Sequence, residues 1–178
     1  MDRRTFLLAG ALSIISPGTA IAALDWTLDP DRKIWLRRAA THEEAVVHYA
    51  NENEGYLADG YRLACYLLRD VQAGLMIPIS PNLLDLLCAM QRWLGTYGVH
   101  RPFIINSGYR SPGTNSITEG AVKNSFHLHG KAADIHVDSI PAEYLGRLAA
   151  MFKTGGVGFY VNKGFIHVDV GWVRYWRR

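Results

Sequence analysis

One segment near the end of the chain constrains the fold more than any other: Phe165-Ile-His-Val-Asp-Val170. Side chains alternate across a β-strand, so Ile166, Val168 and Val170 share one face while His167 and Asp169 share the other. The apolar face has to be packed. The opposite face presents an imidazole and a carboxylate, which must be satisfied if they are buried, and metal coordination is one way to do so. Such a strand belongs in a sheet with a covering layer on one side and a polar site on the other. Val157-Gly-Phe-Tyr-Val161 reads as its neighbour, joined through Asn162-Lys163-Gly164, a three-residue hairpin loop ending in glycine.

The chain of 178 residues is long enough for one domain with a real core. Lys33–Arg38 and Glu44–Tyr49 read as two strands of a hairpin across a polar connector. From Leu57 to Val71 apolar residues recur at helical steps. Ser80-Pro81 supplies an N-cap and a proline for the first helical position. The helix it opens carries Leu83, Leu87, Met90 and Leu94 on one face and ends at Gly95. Phe103–Asn106 is a short apolar run suited to a buried strand. The loop after it, Ser107-Gly-Tyr-Arg-Ser-Pro-Gly-Thr-Asn115, is a usual place for functional groups on a rigid base. A short helix over Pro112–Ile117, a strand over Lys131–Val137 and an amphipathic helix over Pro141–Phe152 complete the outline. The expected class is α+β: a small antiparallel sheet carrying a site on one face, with helices packed on its other face.

The first 22 residues read as a separate segment. Arg3-Arg4 precedes an apolar run to Ile15, Ser16-Pro17-Gly18 breaks it, and Ala20-Ile21-Ala22 offers small residues to a signal peptidase. This is the pattern of a twin-arginine export signal; the run is too short to span a bilayer, which takes about 20 residues. The expectation is a signal over 1–22, one domain over 23–178, export by the twin-arginine machinery and no stable membrane span. The net charge of +3 is small and the basic residues are scattered, which does not indicate nucleic-acid binding. Cys65 and Cys88 lie in apolar helical stretches and read as buried thiols, with a disulfide open in an oxidising compartment.

A second stretch, Ser125-Phe-His-Leu-His-Gly-Lys-Ala-Ala-Asp134, adds His127 and Asp134 with Gly130 between them to turn the chain. With His167 they make two histidines and a carboxylate, a set able to converge on a catalytic zinc that keeps a fourth position open. Each has a plainer reading alone: His127 an exposed loop histidine, His167 a hydrogen-bonded core histidine, Asp134 a turn carboxylate. Arg110, in the loop after a core strand, suits a peptide carboxylate or a developing oxyanion. For the proton acceptor the candidates are Asp169 on the face of His167, then His136 two positions after Asp134, then His129. Asp169 also fits a partner that orients a ligand histidine.

Ser125-x-His127-x-x-Gly130-x-Ala132-x-Asp134 followed by a His-x-Asp strand resembles the zinc D-Ala-D-Ala peptidases, a superfamily that shares its fold with the Hedgehog signalling domain. Ser107-Gly-Tyr-Arg-Ser111, Gly155-Gly-Val-Gly-Phe-Tyr160, Phe165–Gly171 and Arg174-Tyr-Trp176 are similar to its murein endopeptidase K type. The resemblance implies zinc ligands at His127, Asp134 and His167. It implies a periplasmic enzyme whose substrate is the peptidoglycan stem peptides, with Arg110, Tyr109 and Ser125 at the substrate side. Several relatives place an acid three residues before the last histidine ligand; here that position is Gly164. A D-Ala carboxypeptidase, a wall-binding module without catalysis and a structural zinc site are the alternatives.

Overall fold

Strands form where the sequence alternates or runs apolar between turn residues. The structure, a computed structural model, describes residues 31–178; the export-signal reading of residues 1–22 lies outside them. Among the described residues the strands are β1 (Arg32–Arg38), β2 (Glu44–Asn51), β3 (Gly55–Tyr56), β4 (Phe103–Ser107), β5 (Ala132–His136), β6 (Gly156–Tyr160), β7 (Phe165–Asp169) and β8 (Arg174–Arg177). They make one sheet in the order β3-β2-β1-β4-β5-β7-β6-β8. The helices are α1 (Ala58–Leu67), α2 (Pro81–Thr96), α3 (Pro112–Ile117) and α4 (Ala142–Phe152).

The α+β class is as expected. The sheet is larger than anticipated and mixed, because β1 pairs with β4 and β6 with β8 in parallel. Parallel neighbours need a crossover, and the segment holding α1 and α2 provides the one from β1 to β4. β8 arises differently: the chain passes β7 and lays Arg174–Arg177 along the outer edge of β6. Helix α1 stops at Leu67, short of Val71, because Asp70 turns the chain back to pair with Leu75. The Asp70 carboxylate accepts from the backbone N–H groups of Ala73 and Ser111.

One face of the sheet is covered. Ile34, Leu36, Val47, Phe103, Ile105, Ala133, Ile135, Val157, Ile166 and Val168 are buried there with the apolar sides of α1, α2 and α4. The apolar side of the alternating strand β7, Ile166 and Val168, thus faces the helices. Cys65 and Cys88 sit in the same core as free thiols. No helix of the described residues is long and apolar enough to cross a membrane.

Candidate metal centre

The opposite face of the sheet carries the polar site, and strand register assembles it. Asp134 of β5 lies opposite His167 of β7, and Gly158 of β6 lies opposite His167 on its other side. Ser107 of β4 lies opposite Asp134, and Trp176 of β8 lies beside Gly158. Ser107, Asp134, His167, Gly158 and Trp176 therefore form one row across five strands. Pairing shifts between Ile105 and Ser107; a bulge of this kind re-aims a side chain next to a site, and here it sets Ser107 against Asp134.

His127 reaches the row from a 3-10 turn, Phe126–His129. Ser125 caps that turn, its Oγ accepting from the His127 N–H at 3.3 Å. Gly130 closes it with φ +61, and a Cβ there would meet the Pro78 carbonyl oxygen at 2.7 Å. The chain can thus leave the turn and enter β5 within two residues.

The histidine tautomers follow from their outer partners. His127 Nδ1 lies 2.6 Å from the Gly108 carbonyl oxygen, which can only accept, so Nδ1 carries the proton. His167 Nε2 lies 2.9 Å from Asp169 Oδ2 and donates its proton to it in the same way. When both rings are neutral, the lone pairs of His127 Nε2 and His167 Nδ1 point inward. Those two nitrogens are 3.1 Å apart, and Asp134 Oδ1 lies 3.2 Å from the first and 2.9 Å from the second. Three acceptors face one another, which is repulsive unless a cation or a proton lies among them. Four ligands held at about 2.0–2.1 Å in a tetrahedron stand roughly 3.3 Å apart, so the triangle has the dimensions of a metal site. Among the described residues, His127, Asp134 and His167 form the cluster of this kind, and all three are buried.

The remaining site candidates divide. Arg110 joins the cluster: Nη2 donates to Asp134 Oδ2 at 2.5 Å and Nε to Ser107 Oγ at 2.8 Å. Ser125 steers the His127 turn. Tyr109 does not reach the site; it is buried in the hydrophobic core, anchored by its N–H to the Leu68 carbonyl at 2.7 Å. Asp169 stands behind His167, at the nitrogen turned away from the cluster, so it fits an orienting partner and not a proton acceptor at the reacting atoms. His136 shares the face of Asp134 but lies beyond the cleft, with Nδ1 3.1 Å from Asn106 Nδ2. His129 is exposed at the end of its turn.

A cleft of about 650 Å³ opens above the cluster, with Arg110, Phe126, Trp172 and Trp176 among its walls. The sequence reading missed β8, which builds one of these walls. Its signal is present in the glycines of β6. A Cβ at Gly158 would sit 2.6 Å from the Trp176 ring, and one at Gly156 would sit 2.4 Å from Arg174 Nη1. Glycine at alternate positions leaves one face of β6 bare, and β8 folds its large side chains over it. Trp176 thereby comes within 5.3 Å of His167, ring centre to ring centre.

Charge balance in the cluster is set by burial against close opposite charges. For His127 desolvation outweighs the pull of Asp134, and its pKa is lowered. For His167 desolvation acts the same way, but hydrogen bonds to Asp134 and Asp169 prevail and the pKa is raised. Burial pushes Asp134 and Asp169 up, yet both are held well below the ordinary carboxylate range, Asp134 by the two histidines and Asp169 by His167, Arg174 and two backbone N–H groups. In the metal-free protein His167 thus contributes stability that is complete below its unfolded pKa and lost as pH rises through the folded value. His127 acts oppositely, costing stability as pH falls below its unfolded pKa, and the two carboxylates lose their contribution at still lower pH. The melting temperature in chelator is therefore expected to peak near the ordinary histidine value of about 6.5, with metal removing the fall on the alkaline side. Calorimetry across the pH range checks this, and a metal-free profile that keeps rising above that value would contradict it.

A family model described as peptidoglycan L,D-endopeptidase MepK matches residues 27–176. Peptidoglycan L,D-endopeptidase MepK of Escherichia coli strain K12 is 32% identical over 98% of this chain and 97% of its own length. A relative from Haemophilus influenzae, named "Probable peptidoglycan L,D-endopeptidase MepK", is 32% identical over 80% of this chain and 84% of its own length.

Proposed function

This chain belongs to the MepK family of peptidoglycan L,D-endopeptidases, and from that premise we infer an exported zinc peptidase that hydrolyses cross-linking peptide bonds between peptidoglycan stem peptides. The observation that carries the metal reading is the convergence of three lone pairs at the floor of a cleft. His127 Nε2, His167 Nδ1 and Asp134 Oδ1 would hold the ion. A bound zinc would supply Lewis acidity toward the scissile carbonyl and a lowered pKa for water.

The protein's own groups do the rest. The Gly108 carbonyl and Asp169 fix the two imidazoles with their lone pairs inward. Arg110 orients Asp134 and adds a fixed positive charge at the cleft wall, where it favours a substrate carboxylate or negative charge developing on the carbonyl oxygen. Phe126, Trp172 and Trp176 give the cleft apolar walls beside the ligands. The proton acceptor is to be sought on the cleft side of the ligands. Asp169 is turned away from it, and Glu119 is the one carboxylate besides Asp134 on the cleft wall among the described residues.

Digestion of purified muropeptides tests the reaction. Cross-linked dimers should fall to monomers, and a chelator should stop this while leaving the far-ultraviolet circular dichroism intact. Free D-Ala with intact dimers would make the chain a carboxypeptidase, and no product with metal bound would make it a wall-binding module. Action on peptidoglycan places the enzyme in the cell envelope; the twin-arginine signal assigns it to the periplasm, with cleavage by a signal peptidase. Replacing Arg3 and Arg4 with lysine should strand the precursor in the cytoplasm, and unchanged export would refute that route.

A further inference from the structure

Asp169 orients His167, and what orients Asp169 is not named by any motif of the ligand set. Its side chain is fully buried. Oδ1 accepts from the N–H groups of Gly156 at 3.1 Å and Gly171 at 2.9 Å. Oδ2, the oxygen that meets His167 Nε2, receives one further donor, Arg174 Nη2 at 2.6 Å. Arg174 Nη1 reaches Oδ1 at 3.1 Å and the Trp172 carbonyl at the same distance. The guanidinium and the carboxylate thus meet fork to fork, a geometry that fixes the plane of both groups.

Arg174 is itself held. Its guanidinium carbon lies 4.7 Å from the Trp172 ring centre, 5.0 Å from Trp176 and 5.2 Å from Phe126. Gly156 provides the space beneath it, since a Cβ there would sit 2.4 Å from Nη1 and 2.6 Å from Asp169 Oδ2. Three of the five N–H groups of this guanidinium are engaged within the protein, two of them on the buried carboxylate. A cation that merely walled the cleft would not need a glycine seat, three rings and a forked acceptor.

We propose that Arg174 is a positioning residue for the metal centre: through the forked pair with Asp169 it fixes the orientation of His167 and so the direction of the Nδ1 lone pair. The assignment rests on the reading of His167 as a metal ligand. The same strand then both walls the cleft and braces the ion.

Arg174→Met keeps the aliphatic stem among the rings and removes the fork; Arg174→Lys keeps the charge alone. Zinc affinity by competition with a chromophoric chelator should fall roughly 10- to 100-fold in Arg174→Met, the usual scale for a partner behind a metal-bound histidine. The visible spectrum of the cobalt-substituted protein should shift. On cross-linked muropeptides kcat should fall with KM little changed, and Arg174→Lys should recover part of each loss. Unchanged zinc affinity and cobalt spectrum in Arg174→Met overturns the proposal. So does a loss confined to KM, which makes Arg174 a substrate contact, or loss of the native circular dichroism in both metal-free variants, which makes it a residue of the fold. His167→Ala is the reference: if that variant keeps stoichiometric zinc, the metal-centre reading itself fails, whereas zinc loss in His167→Ala with full affinity in Arg174→Met overturns the Arg174 assignment alone.

Discussion

Replacing His127 with alanine is expected to leave a folded protein that holds no stoichiometric metal and has lost at least about 1,000-fold in activity, since metal chemistry contributes several kcal/mol to such a transition state. The variant removes one of three inward lone pairs while Asp134 and His167 remain 2.9 Å apart. Two ligands at the base of a cleft cannot hold zinc against solvent and chelators. The fold should survive. The ring is buried, and its loss strips the Gly108 carbonyl of its donor, at about 1–3 kcal/mol for a stranded polar group. At roughly 2–4 °C per kcal/mol for a chain of this size, the melting temperature of the metal-free protein should drop by no more than about 12 °C. Metal analysis, calorimetry and a muropeptide digest check the three parts together. Wild-type zinc content in His127→Ala would remove the histidine from the ligand set. Collapse of the wild-type fold on chelation would instead make the metal structural.

That pattern of loss depends on residues far apart in the chain, and their convergence is legible in the sequence only in part. The alternation over Ile166–Asp169 yields the strand, its buried face and the placing of His167 and Asp169 on one side, because period-two patterning is a local signal. The pairing of Asp134 opposite His167 is a matter of register between β5 and β7, and no local pattern states it. The same holds for β8. Arg174-Tyr-Trp-Arg177 is four residues long and paired along one side, too short for periodicity to announce. What announces it is the bare face of β6, where glycine at 156 and 158 makes sense only with something lying over it. Tyr109 illustrates the reverse error. It sits in the same loop as Arg110 and looks like its companion, but one residue changes which way a side chain points, and the ring goes into the core. The role of Asp169 turns on a distinction of the same kind: sharing a face with His167 says that the two can meet, not which ring nitrogen they share.

Asp169→Asn should separate orientation from ligation. The substitution keeps shape and volume but exchanges one acceptor oxygen for an amide that donates. In the native site the hydrogen-bonding neighbours of this side chain are donors: the Gly156 and Gly171 N–H groups, both Arg174 Nη atoms and His167 Nε2. An asparagine can turn its oxygen toward one side only. With the amide nitrogen toward His167, the imidazole must move its proton to Nδ1 to accept from it, which places a proton where the metal lone pair belongs. With the amide nitrogen toward the glycines, two backbone donors face a third and Arg174 loses one prong of its fork. The first arrangement parallels the wrong-tautomer effect of the same substitution in a serine-protease triad, where about 10,000-fold of kcat is lost. Here the tautomer can be recovered by the ion itself, so the loss should be smaller and should depend on metal: affinity down roughly 10- to 100-fold, and activity partly restored by excess zinc. His127→Ala should not be restored in this way, because it lacks a donor atom and not merely an orientation. Titrating both variants with zinc while following muropeptide cleavage makes the comparison. If Asp169→Asn stays inactive at saturating zinc with normal substrate affinity, Asp169 takes part in proton transfer after all, and the acceptor lies behind His167 rather than in the cleft.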